Sequence, residues 1–211
     1  LLKENFDKNF IEIQDFGDET FFKILNKKGI NKFYHFKKIV KVLEKIQSIK
    51  NRNIKNFQNK NYLIPKYDKK ILIAEANLFC DWYAKENLSK KQKYEFFTKF
   101  KKIIRKLSSK LKLKNNVFVH RDFHVSNLML VKNQIGVLDS QDALIGNRAY
   151  DLASLIDDVR LKTSKKLKDR IYNFYIEKQK KLNDKNFKND FQILSILRNL
   201  KIIGIFTRLA L

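Results

Sequence analysis

Between residues 117 and 138 the hydrophobic pattern of this chain changes period, and that change limits the fold more than any other feature. On both sides of it, apolar residues recur at helical spacing. Phe33, Phe36, Val40, Leu43 and Ile46 do so behind Asn31, a residue type suited to capping a helix. Leu72, Ala76, Phe79, Trp82 and Tyr83 mark a helix over about 71–86, and Ser89 opens another whose buried face carries Phe96, Phe100, Ile103, Ile104 and Leu107. After Ala149 three further helical segments are predicted near 149–161, 164–182 and 188–210. Inside these limits, Val117-Phe118-Val119 and Leu128-Met129-Leu130-Val131 read as short apolar strands. Asn133-Gln134 supplies a turn and Ile135-Gly136-Val137-Leu138 the return strand. The expectation is an α+β fold, mostly helical, with one small β element at its centre.

The N-terminal part is less regular. Residues 8–16 partly alternate apolar and polar, as a strand does, and Gly17-Asp18 end the run. Asp18 is the expected cap of a short helix through about Asn26, with Gly29 as its stop. Residues 51–69 are rich in Asn and Lys, contain the only proline, Pro65, and read as a loop.

A chain of 211 residues with 44% hydrophobic content can bury one sizeable core. No apolar run reaches the roughly 18 residues of a membrane span, so no membrane association is expected. A single cysteine, Cys80, excludes an internal disulfide and suits a reducing compartment, which makes the cytoplasm the default. Both chain ends look like cuts through a longer polypeptide. The formal charge of +24 invites a nucleic-acid reading. Yet the lysines are spread over the whole chain, and neither zinc-ligand spacing nor an aromatic RNA-binding signature is present. A solvated basic surface is the expectation, one that could still draw in anionic ligands such as ATP.

The chemistry-bearing residues sit in the β element. His120-Arg121-Asp122-Phe123-His124-Val125-Ser126-Asn127 follows one strand, and Asp139-Ser140-Gln141-Asp142 follows the return strand. Phosphoryl transfer asks for a group that orients the attacking hydroxyl and accepts its proton, and for oxygen ligands that hold Mg²⁺ on the nucleotide phosphates. Asp122, at a strand end, can meet a substrate hydroxyl. Asn127, five residues on, offers an amide oxygen, and hairpin pairing brings Asp139 back towards it.

This ordered set matches the kinase pattern H-R-D-x-x-x-x-N followed by a metal-binding Asp. With Phe123 and His124 after the Asp, it resembles the aminoglycoside phosphotransferase/choline-kinase-like family. Within that family Val137-Leu138-Asp139-Ser140-Gln141-Asp142-Ala143, Gly146 and Tyr150-Asp151-Leu152-Ala153-Ser154-Leu155 are similar to bacterial N-acetylmuramate/N-acetylglucosamine kinases. So are Gln14-Asp15-Phe16-Gly17-Asp18, Glu75 with Leu78-Phe79-Cys80-Asp81-Trp82, and Arg198-Asn199-Leu200-Lys201 with Gly204-Ile205-Phe206. The resemblance implies transfer of the ATP γ-phosphate to the anomeric hydroxyl of an amino sugar in cell-wall recycling. It makes Asp122 the catalytic residue and Asn127 and Asp139 the ligands of Mg²⁺. Residues 13–16 become a hinge whose backbone near Gln14 and Phe16 meets adenine. It implies a protein-kinase-like fold in which residues 1–17 are a remnant of the N-terminal lobe and hinge. Residues 18–211 are then the helical C-terminal lobe, around a catalytic β-hairpin at about 117–139. The family usually has an acidic residue at Gln14 and a Phe at Ser140. No Gly-rich loop or phosphate-clamping Lys precedes the hinge, so the N-terminal lobe is expected to be largely absent and the chain alone to turn over poorly.

Other residues belong near the site. His120 is expected to brace the catalytic loop, and Asp151, at a helix start, to accept hydrogen bonds from that loop's backbone. Glu75 is a carboxylate in an apolar helix, which is costly unless paired. It either pairs with an arginine, Arg198 being the candidate, or meets sugar hydroxyls. Glu75, His124, Asp142 and Arg198 are the candidate substrate residues. Rival readings are a kinase for choline, homoserine or an aminoglycoside, and a non-catalytic kinase-like binding protein.

Overall fold

The computed structural model describes residues 2–5, 7–55, 59–179 and 182–211. It opens with a hairpin, β1 (Lys3–Asn5) against β2 (Phe10–Glu12), and the chain then runs extended to Thr20. Helices α1 (Phe21–Asn26) and α2 (Lys32–Gln47) follow. Asn31 caps α2 as expected, accepting the Tyr34 N–H at 3.1 Å. Thr20, not Asp18, caps α1: its hydroxyl accepts the Lys23 N–H at 3.1 Å. At Asp18 the chain is still turning, its carbonyl taking the Thr20 N–H at 3.2 Å.

The expected loop at 51–69 contains a second hairpin, β3 (Asn53–Lys55) with β4 (Asn61–Leu63); residues 56–58 lie outside the described residues. Every described strand residue there is exposed, so no alternation betrayed it in the sequence. Beyond it, Pro65 gives its carbonyl to the Ile145 N–H and Tyr67 gives its N–H to the Ile145 carbonyl, both at 2.8 Å. The only proline thus lies at a sheet margin, where its missing N–H costs nothing.

Helix α3 (Lys69–Leu78) starts at Asp68 and continues through a π-helical stretch, Phe79–Ala84, into a last turn, α4 (Lys85–Asn87). Helix α5 (Lys90–Ser109) opens on a capping box between Ser89 and Gln92. The central β element differs from expectation in pairing. Strand β5 (Val117–Val119) pairs not with the hairpin but with a strand missed in the sequence, β8 (Leu144–Gly146). Strands β6 (Leu128–Val131) and β7 (Gln134–Val137) form the hairpin itself. Its turn falls on Lys132-Asn133, one residue earlier than expected, with φ of 44° and 65°. Two consecutive left-handed residues make the turn whose twist matches the flanking strands.

Helices α6 (Ala149–Ile156), α7 (Lys165–Lys178) and α8 (Asp184–Ala210) complete the chain. The first stops short of residue 161 because Asp157 leaves helical geometry and gives its carboxylate to Lys168 and Ser195. Of the end expected for α7, residues 180–181 lie outside the described residues. The last helix begins earlier than 188 because Asn183 caps it. No helix of the described residues is long and apolar enough to cross a membrane.

One continuous core runs through this arrangement. Phe36, Ile39 and Leu43 of α2, Leu72 and Ala76 of α3, and Ile104 of α5 meet Val119, Phe123, Val125 and Leu128 of the β element. Tyr150, Leu152, Ile171, Tyr175 and Phe187 close it from the C-terminal helices. The loop 120–127 is therefore built on buried apolar anchors at both ends. Helices α3 and α8 approach most closely at Gly204, where an added Cβ would collide with the Leu78 carbonyl. A mid-helix glycine costs about 1 kcal/mol relative to alanine, so this one is held by packing. Gly204→Ala is expected to lose about 1–3 kcal/mol in urea denaturation despite its better helix propensity. An unchanged or higher stability would show that the two backbones do not meet there.

Candidate active site

Strand β5 delivers the chain into the loop His120–Asn127, and a buried carboxylate fixes that loop. Asp151, in the first turn of α6 and fully buried, accepts the His120 N–H at 2.7 Å and the Arg121 N–H at 3.0 Å. Burial pushes its carboxyl up to about 7, against the pull of those two bonds. This is the role expected of Asp151. Arg121 is held at φ +75°, a left-handed conformation that a non-glycine residue adopts only when its surroundings fix it. The bend turns the next residue, Asp122, out of the strand line.

The side chains of the loop brace it on two further sides. His120 donates from Nε2 to the Leu138 carbonyl at 2.8 Å, the bracing role expected of it. Arg121 pairs with Glu75 of α3, lies over the Tyr67 ring at 5.5 Å, and donates to the Asp142 carbonyl at 3.1 Å. Burial works against its charge, but the bond and charge of Glu75 outweigh it and raise the Arg121 pKa. Glu75 also accepts from the Tyr67 hydroxyl and pairs with Lys201 of α8 at 3.3 Å. Of the two alternatives for Glu75, the geometry shows the ion-paired one, but with Arg121 and Lys201 in place of the candidate Arg198. Arg121 lay in full view inside the His-Arg-Asp motif, but nothing in spacing alone tied it to a residue 46 positions earlier.

The oxygens proposed for chemistry are left over by this bracing. The Asp122 main-chain carbonyl accepts the His124 N–H at 3.0 Å and the Asn127 amide at 3.1 Å, but its carboxylate takes no hydrogen bond from the described residues. Asn127 spends its NH₂ on that bond, which leaves its side-chain oxygen unused by the described residues. Its backbone carbonyl accepts the Leu138 N–H at 2.9 Å, so Asn127 lies opposite Leu138 and beside Asp139. Asp139 is exposed and left-handed, φ 59° and ψ 41°, a conformation that Asp tolerates better than most residues. Had these residues been turn-formers or caps, their side-chain oxygens would be bonded to nearby backbone N–H groups.

Could this set hold a metal? No group of three or more His, Cys, Asp or Glu with metal-binding spacing occurs among the described residues. One carboxylate and one amide oxygen are too few for an all-protein cage. They do fit Mg²⁺, a hard cation usually held by one or two carboxylates together with substrate phosphates and water.

The N-terminal segment reaches the same hairpin. The Phe16 ring lies against Gly136, so close that a Cβ there would stand 2.6 Å from it. Glu19 accepts the Leu130 N–H at 2.9 Å, and Thr20 bridges to Met129. Gln14 is exposed in the extended stretch before Phe16. Three of the four residues expected to contact the nucleotide and metal, Phe16, Asn127 and Asp139, therefore share one substructure.

The candidate substrate residues lie elsewhere around the loop. Asp142 is exposed just past Asp139, with its carbonyl held by Arg121. His124 and Arg198 are buried, and Arg198 lies on α8 one turn before Lys201. Burial pushes the His124 imidazole down to about 4, aided by Arg160 and opposed by Asp158 and Asp122. Asp158 and Arg160, an ion pair at 3.2 Å, escaped the sequence reading because they lie in an irregular turn after α6. A surface recess of about 580 Å³ beside Lys114, Arg148 and Lys178 contains none of the candidate residues and no carboxylate. Size is outweighed there by chemistry.

Two outcomes test this geometry. Asp151→Asn puts an NH₂ against one backbone donor; it should cost about 1–3 kcal/mol and speed amide exchange at His120 and Arg121. Unchanged exchange would remove Asp151 from the bracing. In an NMR titration the His124 imidazole should stay neutral down to about pH 5. The unfolded chain then binds a proton that the folded chain does not. The stability this group contributes above about pH 6.5 is lost as pH falls towards 4. An ordinary midpoint near 6.5 would contradict the burial.

With this geometry in hand, similarity to known proteins can be placed on it. Residues 35–181 match the model of the phosphotransferase enzyme family, APH. The N-acetylmuramate/N-acetylglucosamine kinase of Neisseria meningitidis serogroup B is 28% identical over 216 residues, covering 99% of this chain and 62% of that protein. The protein of the same name from Pseudomonas aeruginosa is 27% identical, over 99% of this chain and 60% of its own. That from Caulobacter vibrioides is 33% identical over 98 residues, 44% of this chain. The chain thus spans about three-fifths of the length of the first two relatives. The matched segment takes in the His120–Asn127 loop, the β6–β7 hairpin and Asp151, and the chain belongs to the phosphotransferase enzyme family.

Proposed function

We propose that the protein is an ATP-dependent kinase of a sugar hydroxyl, with the anomeric hydroxyl of N-acetylmuramate or N-acetylglucosamine as acceptor. One observation carries the reading: the side-chain oxygens of Asp122, Asn127 and Asp139 take no hydrogen bond from the described residues, while Asp151, His120 and the Asn127 amide nitrogen are spent on holding the loop. Family membership and the names of the relatives support it.

In this reading Asp122 orients the acceptor hydroxyl and receives its proton as the oxygen attacks the terminal phosphorus of ATP, whose bond to the bridging oxygen breaks to release ADP. Proton acceptance by a placed carboxylate contributes about 10²–10⁴-fold to such reactions. Asn127 and Asp139 would hold Mg²⁺, which neutralises charge on the nucleotide phosphates when bound. Backbone groups near Gln14 and Phe16 meet the adenine, and the Phe16 contact with Gly136 ties that segment to the hairpin. Glu75 acts by holding Arg121, and through it the bend before Asp122. Lys201 keeps its proton: burial opposes its charge, but Tyr150, Glu75 and Asp122 favour it. A reaction that consumes ATP belongs in the cytoplasm, and the lone cysteine suits that compartment.

The test uses the natural full-length protein with ATP and a panel of acceptors: the two amino sugars, choline, homoserine and an aminoglycoside. Phosphorylation of the amino sugars alone is expected. Asp122→Asn should lower turnover by at least about 10²-fold and leave ATP affinity within about threefold. Near-normal turnover of that variant would remove Asp122 from the chemistry, and preference for another acceptor would overturn the substrate.

A further inference from the structure

Buried polar atoms without a partner are rare in folded proteins, and each calls for an account. Three of them belong to residues that have no part in the phosphoryl transfer above: Arg198 Nη1, His124 Nδ1 and Asp158 Oδ2. Arg198 is 3% exposed. No carboxylate of the described residues lies within ion-pair distance of it. One turn further along α8, Lys201 has its counter-ion in Glu75. Asp158 is matched by Arg160 at 3.2 Å. Asp151, the other buried carboxylate nearby, has both oxygens engaged by backbone N–H groups. The guanidinium of Arg198 is the charge left over. A buried cation without a counter-ion is costly, and the cost is relieved if a ligand brings the anion.

Its place says which ligand. The nucleotide and metal candidates, Phe16, Asn127 and Asp139, all belong to the β6–β7 hairpin and the segment against it. Helix α8 packs instead on α3 and α6. Lys201, one turn on from Arg198, reaches Glu75 and through it Arg121, which precedes the reacting carboxylate, and His124, two residues after that carboxylate, feels the charges of both Arg198 and Arg160. Arg160 lies at the rim, one-third exposed, held by Asp158 and by the Phe206 ring 5.6 Å away. The terminal phosphate arrives from the hairpin side. An anion meeting Arg198 must therefore belong to the acceptor.

We propose that Arg198, with Arg160 at the rim and His124 between them, forms a subsite for a carboxylate on the acceptor sugar. The inference rests on the kinase reading above and adds a direction to it. N-acetylmuramate carries a lactyl ether ending in a carboxylate, and N-acetylglucosamine has a hydroxyl in that place. A planar guanidinium fork pairs with a carboxylate through two parallel bonds, which gives geometric selection as well as charge. The subsite selects the acidic sugar.

The experiment measures kcat/KM and calorimetric affinity of the full-length protein for N-acetylmuramate and for its neutral lactyl amide. Wild type should prefer the acid at least tenfold on both scales, mainly through KM. In Arg198→Gln the preference should fall to about one, and Arg198→Lys should restore part of it. Equal affinity of wild type for acid and amide overturns the subsite, as does a preference that survives Arg198→Gln. If Arg198→Gln does not fold, the wild-type preference decides alone. If wild type phosphorylates neither compound, the kinase reading falls. The calorimetric ratio still judges the subsite: tenfold supports it and unity overturns it.

Discussion

The carboxylate of Asp151 receives the N–H groups of His120 and Arg121, and the rest of the site hangs from that contact. It lies in a fully buried position, where an unmet backbone donor would cost about 1–3 kcal/mol. Those two bonds hold Arg121 in its left-handed bend, which carries Asp122 away from β5. Everything else in the loop adds restraint to this bend. Glu75 fixes the arginine's far end, and His120 carries the restraint across to Leu138 and so to Asp139. In the proposed reaction these restraints would serve chemistry, because a carboxylate positioned in advance needs no reorganisation as a proton moves to it.

The same framework separates two sides of the loop. On one, a short hairpin and the N-terminal segment meet through Phe16 and Gly136, with Asn127 and Asp139 at the hairpin's base. On the other, α8 brings Arg198 and Lys201 along one face, and the turn after α6 brings Asp158 and Arg160. Gly204 sets how near α8 stands to α3, and so how near these cations stand to Glu75 and Asp122.

Much of this was legible in the sequence. The periodicity break at residue 117 and the capping residues Asn31 and Ser89 each carry a local signal that the structure reproduces, and the ordered His120, Asp122, Asn127 and Asp139 could be picked out as a motif from the sequence. What escaped depends on tertiary contact. Strand β8 is three residues long and has no pattern of its own; it exists because β5 and the 65–67 segment flank it. The β3–β4 hairpin has no buried face to produce alternation. The partner of Glu75 could not be found by spacing, because a long side chain with several cations within reach chooses by packing. Arg198 was a candidate counter-ion in the sequence, and no carboxylate of the described residues lies within ion-pair distance of it.

The account stands most directly on where a nucleotide-bound metal would lie. Mn²⁺ with ATP, added to isotopically labelled full-length protein, broadens the amide signals nearest the ion. Broadening should be strongest at 126–128 and 138–140, should include Asp122, and should vanish when Asp139→Ala is introduced. Strong broadening at the recess around Lys114 and Arg148 instead, with the loop untouched, would contradict the assignment of these oxygens to phosphoryl transfer.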